Sequence, residues 1–133
     1  MTILESVQTC FSKYVSWKGR ASRSEFWYFV LFYMSSAIVA LIIDVTLGTS
    51  YTYLNPFTET TSSLYYGYIC NLTALILFLP YLSVTVRRLH DKDRSGWYYW
   101  IQLIPIVGFI LFIVSLASRG TAGDNKYGSD PLS

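Results

Sequence analysis

Long apolar stretches alternate with short polar ones along this chain, and the lengths of the apolar stretches predict its main elements. Two of them, 26–47 and 64–86, are long enough for a helix to cross the roughly 30 Å hydrocarbon core of a bilayer. A third apolar run, 97–117, contains Pro105 and Gly108 near its middle. We predict that this run is a third span with a kink or, as the alternative, a re-entrant hairpin.

The segment 2–16 shows a different pattern, because its apolar residues recur three and four positions apart. This spacing places them on one face of a helix and the polar residues on the other face. The segment is too short and too polar to span a bilayer, so it predicts an amphipathic helix. Its apolar face either lies in the membrane interface or packs on the protein's own spans.

These elements together predict an all-α integral membrane protein that forms a single membrane domain over residues 1–133. It would consist of the short amphipathic N-terminal helix, three transmembrane helices and a polar tail, 118–133. The composition agrees, because only 14% of the residues are charged, whereas about 25% are charged in soluble proteins. A lipid bilayer is therefore the expected environment, and the net charge of +2 gives no indication of nucleic-acid binding.

The uneven distribution of charge predicts the orientation of the spans. Basic residues precede the first span and fill 87–94, whereas 48–63, in which Asn55-Pro56 signals a turn, has none. Because cytoplasmic loops are enriched in Lys and Arg, we expect the N-terminus and the charged loop in the cytoplasm and 48–63 outside. A full third span would put the tail outside, and a re-entrant one would return it to the charged loop. Asp44, near the end of the first span, is expected to face solvent at the interface.

The densest polar run, 87–97, forms one part of a candidate polar cluster on the cytoplasmic side. A short segment before the first span supplies the rest, where Ser22 and Glu25 have the spacing of a helix capping box. The cluster could bind anionic lipid headgroups, because arginine matches phosphate oxygens. Its mixed signs favour instead an internal ion network, in which Arg87 or Arg88 pairs with an acid. The members of the cluster are Arg20, Arg23, Glu25, Arg87, Arg88, His90, Asp91, Asp93 and Arg94.

Catalysis is the weaker interpretation of this cluster. His90 stands beside Asp91, but adjacent residues on a helix do not face each other. No spacing of His or Cys is typical of a metal site, so the sequence predicts no catalytic residue, metal or cofactor. An interaction role is the other alternative, because small residues on the predicted spans permit close helix packing with a second copy or another membrane protein. These small residues are Ser36, Ala40, Gly67 and Ala74.

Two motifs carry a resemblance to a known bacterial family. They are Trp-Lys-Gly-Arg-Ala-Ser-Arg-Ser-Glu-Phe-Trp at 17–27 and Arg-Arg-Leu-His-Asp-Lys-Asp-Arg-Ser-Gly-Trp at 87–97. With the later segments 104–108 and 120–131, they make the chain resemble domain-of-unknown-function family 805, a family of small inner-membrane proteins. The resemblance covers nearly the whole chain in the right order. It implies a multi-span protein of the bacterial inner membrane, and it implies no activity.

Overall fold

The computed structural model describes residues 1–54 and 61–132, which fall into two compact units. The first unit comprises Met1–Val30 and Leu79–Ser133, and the second comprises Leu31–Phe78. The described residues are mostly helical, with one pair of strands among them. The elements in chain order are α1 (Ile3–Ser12), α2 (Arg23–Leu47), β1 (Ser50–Leu54), β2 (Thr61–Gly67), α3 (Tyr68–Asp91), a 3₁₀ helix (Gly96–Leu103) and α4 (Val107–Ala117).

Two helices of the described residues, α2 and α3, are long and apolar enough to cross a membrane. Most of their large apolar side chains are exposed, which is the pattern of a surface that faces lipid. The second predicted span is shifted along the chain, because α3 begins at Tyr68 and continues through Asp91. Arg87, Arg88 and His90 therefore lie on the end of a helix, although the sequence suggested a loop.

The connection after α2 was predicted as a loop, and it contains strand structure that the all-α prediction missed. Strands β1 and β2 pair antiparallel, with Ser50 opposite Gly67 and Leu54 opposite Thr61. Both strands are rich in Tyr and Thr, which favour a pleated conformation. The predicted Asn55-Pro56 turn lies outside the described residues.

The third apolar run forms a helical hairpin, which is the arrangement that the sequence left as the alternative to a kinked span. The chain reverses between the 3₁₀ helix and α4, where the Val107 N–H donates to the Pro105 carbonyl and Ile106 has a φ of 61°. The two arms then pack closely, because a Cβ on Gly108 would lie 1.9 Å from the Ile101 carbonyl oxygen. The kink that Pro105 and Gly108 suggested is therefore a full reversal of direction.

Helix α1 is shorter than the predicted 2–16 segment and begins at a capping box formed by Thr2 and Glu5. Ser6 and Cys10, on its small polar face, are buried, whereas most of its apolar side chains are exposed. Leu4, for example, is 74% exposed. An outward apolar face is the arrangement that a helix needs to lie in a membrane interface.

Candidate functional site

Three arginines and two carboxylates form the buried centre of the first unit, and we call them the arginine network. The side chains of Arg87 and Arg88 are the largest fully buried ones among the described residues. Charged side chains are rarely buried unless they are paired, so each charge in this centre needs a partner. The network consists of Arg20 from the loop before α2, Glu25 from the first turn of α2, and Arg87, Arg88 and Asp91 from the end of α3.

The Arg87–Glu25 ion pair connects α3 to α2. Arg87 Nη1 donates to Glu25 Oε1 at 2.5 Å, and the Cys10 sulfur of α1 lies 4.0 Å from both side chains. Ser6, one turn earlier in α1, donates its hydroxyl to the Glu25 carbonyl at 2.6 Å. Helices α1, α2 and α3 therefore meet at this one pair.

The predicted capping box at the start of α2 is only half formed, and the ion pair gives the reason. The Ser22 hydroxyl accepts the Glu25 N–H at 3.1 Å, as predicted. The Glu25 carboxylate does not complete the box, because it binds Arg87. A buried, charge-assisted contact to a guanidinium is stronger than a hydrogen bond to one neutral amide.

Arg88 connects the same end of α3 to the C-terminal end of α4. Its Nε donates to the Leu116 carbonyl at 3.0 Å, and its Nη2 donates to the Ser118 carbonyl. Its Nη1 donates to Asp91 and, at 3.3 Å, to the Ala21 carbonyl. The carbonyl groups that end a helix carry partial negative charge, so they suit a buried cation.

Arg20 fastens the polar tail to the network. It binds Asp91 Oδ1 through Nε at 2.9 Å, and it donates to the carbonyls of Gly123 at 2.5 Å and Thr121 at 2.6 Å. Asp91 is thus shared by Arg20 and Arg88. The tail also passes directly over Asp91, because a Cβ on Gly120 would lie 2.0 Å from Asp91 Oδ2. Only glycine fits at that position.

His90 and Asp91 point to different partners, as expected for adjacent residues on a helix. The His90 ring stacks on Tyr127 of the tail at 3.9 Å, and its Nδ1 lies 3.2 Å from the Gly19 carbonyl oxygen. Asn125 donates to the His90 carbonyl at 3.0 Å. His90 therefore acts in this structure as a contact surface for the tail.

The other predicted members of the cluster lie outside the buried centre. Asp93 adopts a φ of 54° and closes α3 in a Schellman motif, and its exposed carboxylate lies 3.4 Å from Lys126. Arg94 donates to Ser115 and lies over the Tyr98 ring. Arg23 is exposed, and within the described part of the chain its side chain makes no hydrogen bond or ion pair.

A second buried polar site, centred on Asp44 in the second unit, was missed by sequence reasoning. The prediction that Asp44 faces solvent is wrong, because its exposure is 0%. Oδ1 accepts hydrogen bonds from the Thr49 hydroxyl at 2.6 Å and the Ile69 amide at 2.9 Å, and Oδ2 accepts from the Cys70 amide at 2.8 Å. Those amides are in the first turn of α3, where they have no partner within the helix. A lone acid in an apolar run was the only sequence signal.

The chemistry that these sites offer is limited. Among the described residues, no three of His, Cys, Asp and Glu lie close enough together to hold a metal ion. Burial, followed by the nearby Glu25 charge, raises the pKa of the Cys10 thiol to about 11, so the thiolate nucleophile is scarce at neutral pH. Two of the small residues considered for packing with a partner, Ala40 and Gly67, are buried within the second unit itself.

Comparison with known proteins agrees with the membrane character of the helices. The model of a family described as "Protein of unknown function (DUF805)" matches residues 14–129. The inner membrane protein YhaI of Escherichia coli K12 is 36% identical over 118 residues, which cover 89% of this chain and 87% of that protein. The inner membrane protein YhaH of the same strain is equally similar, with 89% and 88% covered. The uncharacterized protein YiiR is 26% identical over 146 residues, with 86% and 85% covered. No solved structure matches the chain significantly.

Proposed function

The chain belongs to the DUF805 family of proteins of unknown function, and we propose that it is a structural or interaction protein of the inner membrane rather than an enzyme. Its similarity to two inner membrane proteins supports a lipid bilayer environment. In this proposal the arginine network has a mechanical role. It fastens the helical hairpin and the tail to the ends of the two membrane-spanning helices.

One observation carries the proposal: the buried side chains of Arg20 and Arg88 are occupied by the chain's own acceptors. Arg20 and Arg88 donate to backbone carbonyls from Leu116 to Gly123 as well as to Asp91. A guanidinium has only five N–H donors, and these contacts use most of them. A phosphate could bind either arginine only by displacing the hairpin or the tail, so the network is better suited to internal packing than to ligand binding.

The proposal includes a topology with two spans and a re-entrant hairpin. Helices α2 and α3 cross the inner membrane, and the N-terminus and the charged end of α3 are cytoplasmic, as the distribution of basic residues suggests. The third apolar run enters from the cytoplasmic side and returns to it. The Thr121 amide supports this, because it donates to the Asp91 carbonyl at 2.9 Å and so keeps the tail beside the end of α3. The 48–63 connection is outside, and α1 lies along the cytoplasmic interface.

Cysteine accessibility tests this topology, and the chain is well suited to it because both natural cysteines, Cys10 and Cys70, are buried. Lys126→Cys marks the tail, and Thr52→Cys marks the connection after α2; both positions are exposed. In spheroplasts treated with a membrane-impermeant maleimide, we expect Thr52→Cys to react at once. Lys126→Cys should react only after the membrane is permeabilised.

The unsubstituted chain is the control, and it should give little labelling in either condition. Labelling of Lys126→Cys in intact spheroplasts would place the tail outside and would contradict the hairpin topology. Labelling of both variants only after permeabilisation would contradict the two membrane crossings.

A further inference from the structure

We propose that a groove beside the arginine network is a binding site for a phosphate group carried by an anionic membrane lipid. The groove has a volume of about 480 Å³ and lies within the first unit. It is bordered by the start of α2, the end of α4 and the tail. Residues that line it include Arg23, Ser24, Trp27, Ala117, Arg119 and Leu132. This inference goes beyond the structural role proposed above, because it depends on two arginines, Arg23 and Arg119, that are not part of the arginine network.

Arg23 and Arg119 supply the charge that a phosphate needs. Both are exposed, and neither side chain makes a hydrogen bond or an ion pair with any described residue of the chain. They differ in this from Arg20 and Arg88, whose buried side chains bind Asp91 and backbone carbonyls. A guanidinium presents parallel N–H groups that match two phosphate oxygens, and two arginines at one groove can hold one phosphate between them.

The acidic residues around the groove are already engaged. Asp91 lines it, but the carboxylate is shared by Arg20 and Arg88. Asp130, in the tail, accepts the amides of Gly123 and Leu132. These hydrogen bonds, aided by the charges of Arg20 and Arg119, lower the pKa of Asp130. The groove retains an excess of positive charge, because three arginines (Arg23, Arg88 and Arg119) and only one acid, Asp91, line it.

The apolar part of the lining favours a lipid over a free phosphate. Trp27 is 39% exposed, and it lines the groove together with Tyr28 and Leu132. Amphipathic aromatic rings are favoured at the headgroup level of a membrane, where one edge meets acyl chains and the other meets water. A charged edge beside an aromatic wall thus matches a phosphate that is attached to a glycerol backbone and its acyl chains.

Lipid titration of the purified full chain in a zwitterionic detergent tests the site, with native mass spectrometry to count bound ligand. The probes are phosphatidylglycerol, phosphatidylcholine and soluble glycerol phosphate. We expect phosphatidylglycerol to bind most tightly. In Arg23→Gln/Arg119→Gln its affinity should fall about tenfold or more, because two charge-assisted contacts are lost.

The matched control is Lys13→Gln/Lys18→Gln, which removes the same charge from two exposed residues that do not line the groove. It should change the affinity less than about twofold, since exposed charges are screened by salt. Equal losses in the two double variants would overturn the proposal, because they would show binding to general surface charge. Equal binding of phosphatidylglycerol and phosphatidylcholine would overturn it as well.

Glycerol phosphate separates the two possible sources of the phosphate. If it binds as tightly as phosphatidylglycerol, and binding depends on the two arginines, the lipid source is wrong. If the double variant does not fold, the single variants Arg23→Gln and Arg119→Gln replace it, and no loss of affinity in either would overturn the proposal. The cysteine labelling of the topology does not depend on any of these results, so the two proposals can fail separately.

Discussion

In the first unit, three buried arginines are neutralised by two carboxylates and by backbone carbonyls, whereas in the second unit one buried carboxylate, Asp44, is held only by N–H and O–H donors. The two sites use opposite ends of the same helix. The carboxylate binds the first amides of α3, and the cations cluster at its last turns. Both arrangements agree with the helix dipole, which favours anions at the N-terminus and cations at the C-terminus.

The difference lies in how replaceable each partner is. The ion pairs of the arginine network join two side chains, so a substitution at either residue can change them. Asp91 also pairs with two cations, Arg20 and Arg88. Asp44 has no cationic partner among the described residues, and two of its three donors are main-chain amides. We therefore expect loss of a network residue to be repairable at a second site, and loss of the Asp44 charge to be irreparable by any single substitution.

Arg87→Met is expected to cause the largest effect, because it leaves Glu25 charged and buried without its cation. Such losses cost about 3–5 kcal/mol of unfolding free energy. Denaturant unfolding of the purified protein in micelles measures it. The double variant Arg87→Met/Glu25→Gln removes both charges and should recover about 2 kcal/mol of that loss.

The single variant Glu25→Gln completes this cycle and serves as its control. Additive effects, within about 0.5 kcal/mol, would show that Arg87 and Glu25 do not act as a pair. That result would remove the distinction between the two sites.

Asp44→Asn should have a smaller effect, of about 2 kcal/mol, on the same unfolding free energy. The amide group that replaces one oxygen cannot accept an N–H, so one amide in the first turn of α3 loses its partner. Thr49→Val is the matched variant, because it removes one donor and leaves the carboxylate, and we expect a loss of about 1 kcal/mol. A larger loss in Thr49→Val than in Asp44→Asn would mean that the hydroxyl, and not the carboxylate, holds the site together.

The smallest effect concerns the Cys10 thiol, which reports on the charge of Glu25. With a pKa of about 11, about one thiol in a thousand is ionised at pH 8. Glu25→Gln removes a negative neighbour that raises this pKa, so alkylation at pH 8 should become faster. Maleimide labelling in a Cys70→Ala background measures the rate. An unchanged rate would indicate that burial alone protects the thiol.

Sequence reasoning found the side chains of the network but could not find its acceptors. Mixed charge signs at the two motifs suggested that Arg87 or Arg88 pairs with Glu25, Asp91 or Asp93, and the structure contains the ion pairs Arg87–Glu25 and Arg88–Asp91. The carbonyls that bind Arg88 belong to Leu116 and Ser118, and every residue has a carbonyl, so no residue type marks them. The amides that bind Asp44 were invisible for the same reason.

The hairpin shows a second limit of a hydropathy pattern. The 97–117 run has the length of a span, and length alone does not say whether a chain crosses the membrane or turns back. Pro105 and Gly108 marked the place of the turn, but either residue also occurs in kinked spans. Whether the chain turns back depends on contacts between the 3₁₀ helix and α4. One such contact is that of Tyr99 with Phe112, whose ring centroids are 5.5 Å apart.

The carbonyl acceptors of Arg20 and Arg88 also determine when the fold can be completed during synthesis. Four of those carbonyls belong to residues 116–123, which follow both arginines along the chain. Both arginines are therefore synthesised before these carbonyls. A chain that terminates before residue 116 therefore leaves both arginines with Asp91 but without these later carbonyls, and we expect such premature products to be less stable.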